Sequence, residues 1–283
     1  MEKKRGMVRI VFRRLVKRRT AAAGLIVFVF MILVALLADY IAPYGPNDML
    51  DDMQYKAPSA AHPMGTDMLG RDVLSRVIHG SRVSLAVGLV SMIAASLLGI
   101  PLGIVSGYYG GWIDQIFMRV VDVLLAFPVF LLAIMIMVVL SPSAANVAVA
   151  LSIVYVPRYM RLVRGVVLSI REHEYIEAAR ALGVRPWRIF LFHILPNCLA
   201  PVMVMVTISV GVAIIAEASL SFLGMGTQPP MPSWGSDLRE SLNTMELNPW
   251  LALFPGLAIL LTVLAINMLG DGLRDAIDPR LKQ

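Results

Sequence analysis

Four histidines, one cysteine and five lysines are all that this chain offers for metal, thiol and amine chemistry, and none stands at a working spacing. His62, His79, His173 and His193 lie far apart, so no ligand pattern emerges, and Cys198 alone forms neither an internal disulfide nor a cysteine metal cage. Lys3, Lys4, Lys17, Lys56 and Lys282 all fall outside any Gly-x-x-x-x-Gly-Lys-Ser/Thr. Gly107-Tyr108-Tyr109-Gly110-Gly111 reads as a turn, since no Lys-Ser or Lys-Thr follows it. The chain therefore carries no phosphate cradle of its own. No Ser/His pair, His-Glu-x-x-His or paired transmembrane aspartates stand at a workable spacing, which argues against a membrane protease. Asp67, Arg71 and Asp72 are expected to form a solvated ion-pair group rather than a calcium or catalytic site. Isolated polar residues in apolar runs remain. Glu217 is suited to contacting a cargo amine or lining a path, and equally to pairing with a neighbouring subunit. Asp122 follows Arg119 by three residues and reads as a local pair, and Asn267 as an interhelical hydrogen-bonding residue.

The elements that hold these residues are set by composition. Of 283 residues 58% are hydrophobic and 16% charged, against roughly 45–50% and about 25% in soluble domains, so the chain is an all-α integral membrane protein. Residues 1–20 form a basic amphipathic segment suited to anionic lipid heads; joined to a span, such a tail is a topology signal, and membrane lipid rather than nucleic acid is its expected partner. The first transmembrane helix lies in 21–42, with Ala21 to Ala38 free of charge. An extracytoplasmic connector, 43–82, follows, and Thr66 or Asp67 is expected to cap an interfacial helix with its apolar stripe on Leu69, Val73, Leu74, Val77 and Ile78.

Five more spans are expected within 83–270, giving six in all: about Val83–Ser106, Ile116–Leu140, Ala144–Val166, Leu199–Phe222 and Leu247–Gly270. Gly99, Pro101, Gly103 and Gly107 permit a bend and close packing in the first of these. Arg158, Arg161 and Arg164 share one side of their helix, as if aimed at lipid phosphates or an acidic neighbour, and Gly224–Gly235 reads as an extended proline-rich path. Residues 271–283 form a charged tail. Placing the N-terminus in the cytoplasm puts 20 of the 25 basic residues on the inner side, which orients the layout with both termini inside.

One charged island breaks the second half of the chain, in the loop 171–198. Tyr175 to Leu182 has helix formers throughout, with Ile176, Ala179 and Leu182 on one side and Glu177 and Arg180 elsewhere. Gly183 suits a left-handed helix end, and Pro186 opens a second helix toward Pro196. Periodicity alone leaves open whether this helix–turn–helix is an ordinary loop or a docking element.

Glu177-Ala178-Ala179, then Gly183, then Leu195-Pro196 resembles the signature loop of permease subunits of bacterial ABC importers, with His193 at a position where many relatives carry Ile. The resemblance extends to Gly65-Thr66-Asp67 with Gly70-Arg71-Asp72, to Glu217-Ala218-Ser219-Leu220-Ser221-Phe222-Leu223-Gly224, and to Gly270-Asp271-Gly272-Leu273-Arg274-Asp275 with Asp278-Pro279. These segments are similar to the C-type subunit of the peptide/nickel branch. The resemblance implies a type I importer permease fold and a non-catalytic subunit. Tyr175, Ile176, Glu177, Ala178, Ala179, Arg180, Leu182 and Gly183 would engage a separate ATPase. It further implies a paralogous permease, two ATPase subunits holding ATP and Mg, and an extracytoplasmic binding protein. The implied cargo is di- or oligopeptide, with nickel, glutathione or another peptide-like solute as alternatives, in a bacterial inner membrane.

Overall fold

The computed structural model describes residue 13 and residues 15–277, and the described residues are helical apart from connectors, with no β-strand. Most of the expected basic N-terminal segment, and the end of the tail with Asp278-Pro279, lie outside the described residues. The helices are α1 (Arg19–Leu36), α2 (Ala38–Ile41), α3 (Val73–Tyr109), α4 (Gly111–Ala126), α5 (Val129–Leu140), α6 (Ala144–Ile170), α7 (Glu174–Ala181), α8 (Pro186–Ile189), α9 (Leu195–Phe222), α10 (Trp234–Ser241) and α11 (Trp250–Ile277), with a π turn at Phe190–Ile194.

The connector ends on a different cap from the one expected. Asp72 is the N-cap of α3, accepting a hydrogen bond from Ser75 N at 2.8 Å. Thr66 instead accepts from Lys56 N at 2.9 Å, and Asp67 accepts from Leu69 N and Arg71 N. No separate interfacial helix forms, because nothing between Ile78 and Val83 breaks the backbone. Arg82 leaves α3 sideways, donating to Ala35 O at 2.6 Å and pairing with Asp39. The helix runs 37 residues and includes Gly107, Tyr108 and Tyr109; the chain turns only at Gly110 (φ +65°) and Gly111 (φ +56°).

The stretch expected to form one span, 116–140, is bent into an elbow. Helices α4 and α5 meet at 96° around Phe127-Pro128. Proline lacks the N–H a continuing helix needs and pushes its predecessor out of the helical region, and Phe127 is accordingly extended (φ −82°, ψ 140°).

Helix α6 packs along α3 through Gly99, Gly103 and Gly107. A Cβ on Gly99 would lie 2.5 Å from Tyr159 Cβ, one on Gly103 2.7 Å from Met160 O, and one on Gly107 2.8 Å from Val167 Cβ. The expected close packing is thus a Gly-x-x-x-Gly-x-x-x-Gly seam. The shared core includes Leu151, Tyr155, Tyr159, Val163 and Val167, all fully or almost fully enclosed. Helix α9 joins α3 to α11, and α1 lies against α11.

By length and composition α1, α3, the Pro186–Phe222 run and α11 can cross a membrane, and the α4–α5 elbow makes a fifth if it counts as one span. The expected six is therefore not met on this criterion. Helix α6 is long enough at 27 residues but carries Arg158, Arg161 and Arg164, which lower its hydropathy. Residues 271–277 continue α11 rather than starting a loose tail.

Candidate functional site

The bracket between α6 and α9 is built as a helix, a tight reversal and a second helix. Gly183 sits at φ +72°, and Val184 N returns to Ala179 O at 3.0 Å, closing the end of α7. A Cβ on Gly183 would meet nothing within 4 Å, so backbone conformation alone calls for glycine. Pro186 stands in the first turn of α8. That second helix does not stop near Pro196; it passes through the π turn into α9, a helical run of 37 residues.

Only part of the expected contact side faces outward. Ile176 is 0% and Ala179 9% exposed, both turned into the protein's own core, whereas Leu182 is 83% exposed. Leu182 departs from the stripe because it is the C-cap, where helical geometry has already ended (φ −78°, ψ 4°). The outward face consists of Tyr175, Glu177, Ala178 and Leu182, continued by Trp187, Leu191 and Phe192.

The bracket is anchored to the end of α3. The Arg180 guanidinium lies 4.4 Å over the Tyr108 ring, and its Nε donates to Tyr108 OH at 3.2 Å. Tyr108 packs edge-on against Phe190 at 4.8 Å, and Arg171 Nη1 donates to Gly107 O at 3.1 Å. These contacts fasten α7 to the end of α3 and to the π turn that leads into α9.

The isolated polar residues separate. Glu217 is fully enclosed, accepting from Ser84 Oγ at 2.9 Å and Ser221 Oγ at 2.8 Å, so it joins α3 to α9 and reaches neither a cavity nor the surface. Asp122 pairs with Arg161 of α6 rather than with Arg119, because α4 and α6 lie side by side. Arg164 likewise grips Asp114 with two bonds of 2.5 and 2.6 Å, so two of the three arginines in the row meet acidic neighbours. Asn267 is exposed and makes no hydrogen bond among the described residues, in place of the expected interhelical one.

The group expected to be solvated is instead enclosed. Asp67, Arg71 and Asp72 are all under a tenth exposed. Arg71 Nε donates to Asp67 at 2.6 Å and its other arm reaches Glu240; Arg76 grips Asp237; His62 Nδ1 lies 2.9 Å from Asp72. The missing partners stand on α10, a helix absent from the sequence reading. Its signal was present: Ser233 and Ser236 form a reciprocal capping box.

The family model described as "Binding-protein-dependent transport system inner membrane component" matches residues 99–283, and one described as the N-terminal TM domain of oligopeptide transport permease C matches residues 6–58. The glutathione transport system permease protein GsiD of Pectobacterium atrosepticum is 46% identical over 272 residues, covering 96% of this chain and 90% of the relative. The dipeptide transport system permease protein DppC of Alkalihalophilus pseudofirmus is also 46% identical, covering 97% and 90%. A solved inward-facing structure of the MetNI methionine ABC transporter aligns with TM-score 0.58 at 20% identity, covering 72% of this chain and 98% of that one; that likeness concerns the fold. Matched along nearly its whole length, the chain belongs to the family of binding-protein-dependent transport system inner membrane components, the multi-pass permeases of ABC transporters.

Proposed function

We propose that the chain forms one half of the translocation path of an ATP-driven importer for di- or oligopeptides and takes its driving force through the α7–α8 bracket. The observation that carries this reading is the outward face of Tyr175, Glu177, Ala178 and Leu182, held by the Gly183 reversal and braced on Tyr108. A short helix presenting such a face suits a groove on a separate protein. Ile176 and Ala179 act as the inner packing side of that lever, and Arg180 as its brace. A separate ATPase pair supplies ATP hydrolysis, a paralogous permease the other half of the path, and an extracytoplasmic binding protein the cargo; this chain performs no catalysis.

Six crossings fit the reading if the α4–α5 elbow counts as one and α6 as another. The bracket then shares the cytoplasmic side with both termini. The 43–72 connector and α10, joined by Arg71–Glu240 and Arg76–Asp237, share the other. Driving such a lever between two states from 1:99 to 99:1 takes about 5.5 kcal/mol of differential binding.

The test is peptide uptake by proteoliposomes holding the complete complex. Gly183→Pro or Glu177→Lys is expected to abolish ATP-dependent uptake at normal membrane levels; undiminished uptake would remove the bracket from the mechanism. Glutathione is the second cargo reading, favoured by the relative GsiD, and competition between glutathione and a dipeptide separates the two.

A further inference from the structure

The face shared by α4 and α6 carries charge on helices that the importer reading lays across the membrane. Arg158 is the fifteenth of the 27 residues of α6, about 21 Å along a helix of about 40 Å. It is exposed, it pairs with no carboxylate among the described residues, and its only partner is the Tyr155 ring, 5.1 Å from the guanidinium. Its neighbour Tyr159 packs against Gly99 of α3, a helix apolar enough to span, so this part of α6 lies alongside a spanning helix. Arg119 of α4 is also exposed and unpaired among the described residues. It stands one turn from Asp122, and Arg158 stands one turn from Arg161, so the two unpaired arginines flank the exposed Asp122–Arg161 bridge. Toward the end of α6 the same face continues through Gly165 and Ser169, which line an open concavity with Arg161.

With α6 crossing from Ala144, Arg158 stands about 21 Å into a hydrocarbon layer of about 30 Å, toward its inner side; a guanidinium facing lipid tails there is disfavoured, and polar side chains there face water or protein. An exposed ion pair and a small-residue continuation fit water. The bridge cancels one positive and one negative charge, so what remains is an excess of positive charge, which attracts an anion. We infer that the α4–α6 face lines the aqueous path and that Arg158 receives a carboxylate of the passing cargo, such as the C-terminal carboxylate of a peptide. Guanidinium matches carboxylate with paired N–H donors, and the Tyr155 ring beneath fixes its plane. The inference deepens the importer reading and rests on it for the cargo, while water access to the face can be measured independently.

The experiment uses single-cysteine chemistry, for which the protein is suited because its one native cysteine, Cys198, is buried. Arg158→Cys and Met135→Cys, the latter on an exposed apolar position in the middle of α5, are assembled into the complete complex in proteoliposomes. Both are treated with membrane-impermeant cationic and anionic methanethiosulfonates. Arg158→Cys is expected to react and Met135→Cys to stay unlabelled. Dialanine uptake by Arg158→Cys is expected to fall roughly tenfold, the loss of one charge-assisted contact. Aminoethyl conjugation should restore part of it, sulfonatoethyl conjugation should restore none, and dialaninamide uptake should fall less. Arg158→Lys, which keeps the charge but loses the paired N–H fork, should fall between wild type and Arg158→Cys, and its partial uptake excludes a folding defect. Labelling no faster than at Met135→Cys overturns the water-lined face, and equal loss for dialanine and its amide overturns the carboxylate role. Failure of the wild-type complex to take up dialanine with ATP would instead sink the importer reading and leave the labelling result standing.

Discussion

The two ends of the molecule use charge in opposite ways. Where the connector meets α10, Asp67, Arg71, Arg76, Asp237 and Glu240 turn toward one another and away from solvent. At the bracket, Glu174, Glu177, Arg185 and Arg188 turn outward, with Leu182 and Trp187 among them. The first end is satisfied within the chain and reads as a rigid brace across segments more than 160 residues apart. The second keeps its charged and apolar groups facing outward, which is what the proposed contact with another protein requires. A charged segment in a membrane protein is therefore informative only once the side its charges face is known.

The comparison is broken most forcefully at Arg76. Arg76→Met leaves Asp237, whose side chain is 10% exposed, without its counter-charge, and breaking such a pair from one side costs about 3–5 kcal/mol. Thermal melting of the detergent-solubilised protein should show a clear loss, and an unchanged midpoint would mean that the network is solvated after all. The next effect separates the two faces of α7. Ile176→Ala opens a void in the core and should cost about 3 kcal/mol. Leu182→Asp should stay within about 0.5 kcal/mol of wild type, yet abolish capture of the ATPase. If Leu182→Asp melts early while ATPase capture survives, the outward face is not a contact face. Gly183→Val should cost about 1–2 kcal/mol, because the position needs left-handed backbone but has room for a side chain. Gly183→Asn should cost less, since asparagine tolerates that conformation.

Local features were legible in the sequence. Gly183 and Pro186 announced the reversal, and Gly99, Gly103 and Gly107 the close packing, because each acts within a turn or along one helix. What could not be read depends on distance along the chain. Arg76 and Asp237 are 161 residues apart, and no periodicity in either segment points to the other. Glu217 was assigned to the cargo path or to a neighbouring subunit because Ser84, which encloses it within the chain, lies 133 residues earlier. Leu182 was misplaced for a different reason: the stripe was extended one position beyond the last helical residue. The elbow was signalled by Pro128, but the surrounding apolar run was read as one span with no break placed in it.

The smallest expected effect sharpens the account of the enclosed end. Three carboxylates, Asp67, Asp237 and Glu240, share two arginines there, so one negative charge is in excess. Asp237 bears it: burial pushes its carboxyl above the usual range, Arg76 pulls it back, and Oδ2 has no hydrogen-bond partner. A carboxyl with a raised folded-state pKa binds its proton more tightly folded than unfolded. Its contribution to stability is fully present below the ordinary carboxylate range and is lost as pH rises through the elevated value. Asp237→Asn, which resembles the protonated acid, should melt within about 1 kcal/mol of wild type at neutral pH. It should also flatten the decline in stability between the ordinary range and that elevated value. A loss as large as that of Arg76→Met would mean that the Asp237 charge is required, and that the excess sits on Glu240, whose side chain is 27% exposed and can shed it to water.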